Sequence, residues 1–238
     1  MNIAVIAVSP QGITIAEQLK AEWQEQLTIF STHQHSSVES IRNIKEHVDA
    51  HFGDYSAWVF IGAMGICIRT IAEHVQHKYH DPAVINIDST GRFVVSVLSG
   101  HVGGANELTE HIASLLGAQA VVSTQTDNTG LWALDLFSRK YGWAQVNNMG
   151  GLNKPIALYT NGKPTALLLE VRDKFTLELE RTHAEHVDIY YKREDLDESK
   201  YELILVVSPR VYETSKPCIQ YIPKSLALGL GCRYQCAP

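Results

Sequence analysis

The stretch NIAVIAV (2–8) followed by SPQGITIAEQL (9–19) decides how the rest of the chain is read. A short β-branched run is followed by a serine suited to cap a helix and a proline suited to its first turn. Ile13, Ile15, Ala16 and Leu19 then recur at helical spacing, so the segment is a βα unit. The pattern repeats. Leu27–Ser31 reads as a strand and Val38–Val48 as a helix. Ala57–Ile61 is an apolar strand, with Met64–His74 as the helix after it. Ala83–Asp88 and Phe93–Leu98 are strands flanking Ser89-Thr90-Gly91, a hairpin turn. Asn106–Leu116 is a helix with Leu108, Ile112, Leu115 and Leu116 on one face, Ala120–Val122 a short strand and Leu131–Arg139 a closing helix. Apolar strands alternating with helices predict an α/β fold, a mostly parallel sheet with helices on both faces.

Charge density rises along the chain, and the stretch from Arg172 to Glu202 reads as a solvated face. The turn-rich Asn147-Asn148-Met149-Gly150-Gly151 marks a joint. The expected organisation is an N-terminal α/β domain over 1–146, a smaller α+β domain over 147–225 and the opening strand of a further domain over 226–238. The middle domain has predicted strands at Thr165–Val171, Asp188–Tyr191 and Glu202–Val207, and a helix around Phe175–Ala184.

Composition narrows the function classes. The chain has 238 residues, 45% of them hydrophobic and 19% charged, enough apolar material for a core without metal or disulfide staples. Its formal charge of −6 argues against nonspecific nucleic-acid binding, which needs a basic face. The longest apolar run, Ala57 to Ile68, falls short of the roughly 20 residues of a membrane span. No basic leader precedes Ile3, so the expected compartment is the cytoplasm. The 4 cysteines read as reduced thiols, and Cys232 with Cys236 lacks the second pair or histidine of a zinc site. Cys67, Trp132 and Trp143 read as packing residues. His74, His77 and His80 precede Asp81, but Pro82 makes Asp81 extended, so they do not share a helix face and no protein-bound metal is expected.

Four segments leave strands and open helices: Ser9–Gly12, GAMGICIR (62–69), SGHVGGANE (99–107) and STQTDNTG (123–130). Were all the strands parallel, these would gather on one edge of the sheet, where open α/β sheets bind ligands. In the third segment, Gly100, Gly103 and Gly104 bracket His101 before a helix. Glycines let backbone N–H groups approach a ligand, and a helix start favours carboxylate or phosphate. His101 transfers protons near neutral pH, while Asn106 and Glu107 add hydrogen-bonding and acid–base capacity. The same residues also make an ordinary glycine turn with a capping glutamate. Gly62, Gly65 and Arg69 suit a carboxylate, although Arg69 equally suits an ion pair with Glu73 at helical spacing. Thr126 and Asp127 offer a hydroxyl and an acid–base or water-orienting group, and Asp127 can instead cap the following helix. Neither a dinucleotide fingerprint nor a P-loop is present.

GAMGICIR (62–69), DPAV (81–84) with Asp88, LSGHVGGANEL (98–108) and STQTD (123–127) with Gly130, in this order, resemble the CbiG family of cobalamin biosynthesis, the cobalt-precorrin-5A hydrolases. The resemblance covers about residues 1–140 closely and continues more loosely to about 225. LGLGCR (228–233) is similar to the first strand and turn of the family's C-terminal domain, the rest of which this sequence does not contain. The resemblance implies a cobalt-containing tetrapyrrole substrate, hydrolysis of its δ-lactone and release of acetaldehyde. Cobalt is then part of the substrate, so no cofactor is expected. The implied partners are the substrate, with a homo-oligomer or other corrin-pathway enzymes as further candidates. Two other classes stay open: a non-catalytic tetrapyrrole-binding or carrier module, and a phosphate- or nucleotide-binding α/β protein. In the hydrolase reading His101, Asp127 and Glu107 are the catalytic candidates, and Gly62, Gly65, Arg69, Gly100, Gly103, Gly104, Asn106 and Thr126 the substrate-binding ones.

Overall fold

Five of the six residues of β1 (Asn2–Ala7) are buried, which puts this strand inside a sheet covered on both faces. The computed structural model describes residues 1–23, 26–77, 80–124 and 129–224, and divides into two units, Met1–Gly130 and Leu131–Pro238.

In the first unit the order after β1 is α1 (Pro10–Glu22), β2 (Gln26–Ser31), β3 (Glu39–Ser40), α2 (Ile44–His51), β4 (Ala57–Ile61), α3 (Met64–Ile71), β5 (Ala83–Ile87), β6 (Phe93–Leu98), α4 (Ala105–Leu116) and β7 (Gln119–Val121). The sheet order is β3-β2-β1-β4-β5-β6-β7. From β3 to β5 every pairing is parallel; β6 runs antiparallel to β5, and β7 is parallel to β6. Alternate residues of the central strands face opposite ways. Ile3, Val5, Val59 and Ile85 pack with Ile13, Leu19 and Ile112, from α1 and α4. Ala4, Ile6, Trp58 and Phe60 pack with Val48, Cys67 and Ile71, from α2 and α3. The expected three-layer α/β architecture is therefore present.

Local chemistry sets the helix starts. Ser9 accepts from the Gly12 amide at 3.1 Å, with Pro10 in the first turn of α1. The helix expected over Val38–Val48 begins only at Ile44: Asn43 caps it through the Glu46 amide at 3.2 Å, and Glu39 and Ser40 form a short edge strand instead. α3 ends at Ile71, where a turn replaces the expected extension to His74.

The second unit opens with a 3-10 turn (Leu134–Leu136) and α5 (Phe137–Tyr141), where one closing helix was expected. There follow β8 (Ala144–Asn147), α6 (Asn153–Thr160), β9 (Thr165–Leu169), α7 (Lys174–Thr182), β10 (Val187–Tyr190), β11 (Leu203–Val207) and β12 (Cys218–Ile222). Its sheet order is β10-β9-β11-β12-β8, parallel except for the antiparallel edge strand β8. Expected as α+β, this unit is a second mostly parallel layered sheet. Its start also lies earlier than the joint expected at 147–151. Trp132, Phe137, Tyr141 and Trp143 pack into the second unit's core with Leu205 and Tyr221, and β8 pairs with β12. Residues 226–238 lie outside the described residues, as do Cys232 and Cys236.

Candidate functional site

The segments expected on one edge divide between two: Ser9–Gly12 and 62–69 lie on one edge, and 99–107 lies on the opposite edge, where β7 also ends. The physical reason is the hairpin between β5 and β6. Val84 pairs with Leu98 and Ile87 with Val94, so the end of β6 returns to the level at which β4 and β5 begin. Five residues of strand, at about 3.3 Å each, separate the two edges by about 15 Å. Gly62, Gly65 and Arg69 therefore do not share a site with His101, Gly100, Gly103, Gly104, Asn106 and Glu107.

The first edge is a topological switch point. β1 leads through α1 to β2 on one side, and β4 leads through α3 to β5 on the other, leaving a crevice between their carboxyl ends. Here the chains approach closely: a Cβ on Gly62 would meet Val8 side-chain carbons at 3.0 Å. The Gly62 amide donates to the Ile87 carbonyl at 2.9 Å, and the Gly62 carbonyl accepts from Asn86 Nδ2 at 3.2 Å. The Arg69 guanidinium folds back along α3 to lie 3.3 Å from the Cβ position of Gly65. The alternative ion pair between Arg69 and Glu73 is not formed; Glu73 pairs with Lys45 at 2.9 Å. Cys67 is fully buried on the inner face of α3, and burial pushes its thiol up to about 12, as suits a packing residue.

At the opposite edge the loop after β6 is folded onto the start of α4. Ser99 is buried with φ 58°, a left-handed conformation uncommon outside glycine, and its Oγ donates to the Asp81 carbonyl at 3.0 Å. The Asp81 carboxylate accepts from the Gln76 and His77 amides, both at 2.9 Å. The amides of Gly104, Ala105 and Asn106 donate to the carbonyls of His101, Ser99 and Gly100 at 3.1, 3.2 and 3.0 Å. The Asn106 side chain bridges two strand ends, accepting from Ser96 Oγ at 2.7 Å and donating to Thr124 Oγ1 at 2.8 Å.

These bonds revise the expected roles of the glycines. A Cβ at Gly103 would stand 2.4 Å from Ser99 Cβ, and one at Gly100 would stand 2.7 Å from Asn106 Oδ1. Both glycines let the loop close upon itself, and Gly104 supplies the left-handed residue that opens α4, at φ 82°. The Gly104 and Gly62 amides, expected to face a ligand, are engaged by backbone carbonyls. What results is a braced platform. Half-buried His101 and exposed Glu107 stand on it, with Thr124 alongside, tethered through Asn106. Thr126 and Asp127 lie outside the described residues. Sequence reasoning missed Ser96 and Ser99. The signal for Ser96 was present, since it is the one polar residue in the strand FVVSVL.

Among the described residues no three His, Cys, Asp or Glu side chains form a metal-ligand group. His74 Nε2 instead meets Asp49 Oδ1 at 2.7 Å. No helix of the described residues is long and apolar enough to cross a membrane.

Residues 46–127 match the family model described as cobalamin synthesis G N-terminal, and residues 132–223 match the one described as cobalamin biosynthesis central region. A cobalt-precorrin-5A hydrolase of Priestia megaterium is 30% identical over 243 aligned residues, covering 97% of this chain and 65% of that protein. A cobalt-precorrin-5A hydrolase of Salmonella typhimurium is 39% identical over 137 residues, 56% of this chain and 38% of the relative. The chain thus spans less than two thirds of the length of these relatives. A crystal structure of a cobalamin biosynthesis protein G homologue from Sulfolobus solfataricus superposes with a TM-score of 0.52 at 17% identity. It covers 93% of this chain and 60% of that one, a likeness of fold.

Proposed function

From the premise that the chain belongs to the CbiG family, whose N-terminal and central regions it carries in order, we propose that it acts in cobalamin biosynthesis as a cobalt-precorrin-5A hydrolase. The observation that carries this reading is the 30% identity to the Priestia megaterium enzyme along 97% of the chain.

In the proposed reaction, water adds to the carbonyl of the substrate's δ-lactone. His101 or Asp127 accepts the proton of that water, and the ring oxygen leaves as a hydroxyl, giving a carboxylate and an alcohol. The alcohol then loses its proton. Its carbon–oxygen bond becomes a carbonyl, the carbon–carbon bond to the macrocycle breaks, and the bonding pair passes into the conjugated ring system. The two-carbon fragment departs as acetaldehyde. Cobalt travels with the substrate.

The braced loop supports the placement of the chemistry at His101. General acid–base catalysis needs a group held within hydrogen-bond reach of the reacting atoms, and the loop's internal bonds limit how far the imidazole can wander. Any oxyanion donor must come from the same edge. That favours the amide of Gly103 over those of Gly62–Gly65, which lie across the sheet.

The test is anaerobic incubation with the cobalt-bearing lactone, read as acetaldehyde formed and as the mass change of the macrocycle. We expect release by the native chain, and a loss of about 100-fold or more in single-turnover rate for His101→Ala or Asp127→Asn, whichever residue is the base. Unimpaired lactone opening in both variants would remove this mechanism. Binding without release would make the chain a corrinoid-holding module.

A further inference from the structure

The second unit has a switch point of its own. β9 leads through α7 to β10 on one side, while β11 leads to β12 on the other, so neighbouring connections part between β9 and β11. The crevice at such a point, outside the carboxyl ends of the strands, is where open α/β sheets bind ligands. Here it is an open hollow of about 300 Å³ walled by Glu170, Tyr191, Lys192, Glu194, Pro209 and Arg210. Glu170 follows β9, Tyr191 and Lys192 follow β10, and Pro209 and Arg210 lie just beyond β11. Three parallel strands thus deliver these side chains to one edge.

The floor of the hollow is pre-organised. The two oxygens of Glu170 accept from Ser208 Oγ and from the Tyr212 hydroxyl, both at 2.6 Å. Ser208 Oγ also accepts from the Arg210 amide at 2.9 Å, which ties the loop that carries Arg210 to the floor. Gln220 secures Tyr212 by accepting from its amide at 2.8 Å and donating to its carbonyl at 2.5 Å. Neither cation at the rim is locked in an ion pair, although Arg210 lies within electrostatic reach of the Tyr212 hydroxyl, Glu170 and Glu194. Lys45, Lys140, Lys163, Arg193 and Lys200 all form ion pairs, whereas among the described residues neither Lys192 nor Arg210 has a carboxylate within 4.0 Å. Tyr191 is 55% exposed beside them, a flat ring in a place where burial does not explain it.

We propose that this hollow binds a carboxylate-bearing ligand, with Arg210 and Lys192 on the carboxylate and Tyr191 against the ligand's flat body. A guanidinium fork and an ammonium are suited to carboxylate oxygens, and an aromatic face to a conjugated ring. Glu194 opposes a second carboxylate at the rim and so restricts how many enter. The identification of the ligand as a tetrapyrrole bearing acetate and propionate side chains rests on the hydrolase reading above; the carboxylate site itself rests on the hollow.

The test is an equilibrium fluorescence titration of the whole chain with uroporphyrin, an octacarboxylate tetrapyrrole, with propane-1,2,3-tricarboxylate as competitor. We expect saturable binding that the tricarboxylate displaces. Lys192→Gln and Arg210→Gln should each weaken it about tenfold, and the double variant more than either. Glu194→Gln should tighten it, and Lys163→Gln, in the same unit but away from the hollow, should leave it unchanged. Absence of binding, or a double variant that binds like the native chain, would overturn the proposal. Acetaldehyde release measured on the same preparations separates the two readings. Turnover without binding that depends on Lys192 and Arg210 removes this site and leaves the hydrolase. Binding without turnover removes the hydrolase and leaves the site.

Discussion

At the scale of single residues, Gly103 shows how a glycine that looks like a ligand contact can be a packing necessity. Its missing Cβ is where Ser99 crosses, with the Ser99 carbonyl oxygen 2.7 Å away as well. Gly103→Ala should lower stability by about 1–3 kcal/mol and loosen the platform under His101. Gly53, whose Cβ position has nothing within 4 Å, should instead gain about 0.5 kcal/mol on the same substitution. Urea unfolding of the two variants checks both. Read from the sequence alone, the spacing of Gly100, Gly103 and Gly104 told that the chain turns sharply before a helix. It could not tell whether the space freed by each glycine admits a ligand or another part of the loop, because that depends on where Ser99 and Asn106 lie in three dimensions.

At the scale of elements, the β5–β6 hairpin decides more than any helix does. The Asp88 carboxylate holds the turn by accepting from the Arg92 and Phe93 amides, both at 2.7 Å, from the Thr90 amide at 3.0 Å and from the Thr90 hydroxyl. Partial burial raises the pKa of this carboxyl. The hydrogen bonds outweigh that effect and hold it below the usual aspartate range. A folded pKa depressed below the unfolded one contributes stability that is complete above about pH 4 and is lost as pH falls through the folded value. Asp88→Ala should therefore be less stable than the native chain at pH 7, with the gap narrowing as pH drops below about 4. Urea midpoints measured from pH 7 to pH 3 would show whether it does. Ser89-Thr90-Gly91 was legible as a turn, and a turn of that length reverses a strand. The consequence is that β6 and β7 end at the edge opposite the one shared by β1 and β4.

At the scale of the whole molecule, each unit has its own cores. Ile85 is fully buried in the first and Leu205 in the second. Truncating either leaves a cavity, at a cost of roughly 2–5 kcal/mol. Two units with separate cores do not oblige the chain to unfold in one step. In calorimetry we expect Ile85→Ala to lower one transition and Leu205→Ala another, whereas a single transition shifted equally by both would show that the units unfold as one. The division itself was read late in the sequence. Residues 131–146 resemble the preceding βα units in composition, and only the packing of Trp132, Phe137, Tyr141 and Trp143 against Leu205 and Tyr221 assigns them to the second core.

The βα periodicity, the capped start of α1, the hairpin after β5, the α/β class and the motifs that resemble the family are all legible along the chain. All of these rest on interactions within a few residues, or on burial patterns that a single strand or helix carries. Tertiary structure alone decided which strands are neighbours. That choice put the loops of β4 and β6 on opposite edges and added β8 as an antiparallel edge strand. It also joined Glu170, Lys192 and Arg210 around one hollow, though no local pattern links them. Strand order is set by which apolar faces bury together across long separations, and such partners leave no spacing signal in the chain that contains them.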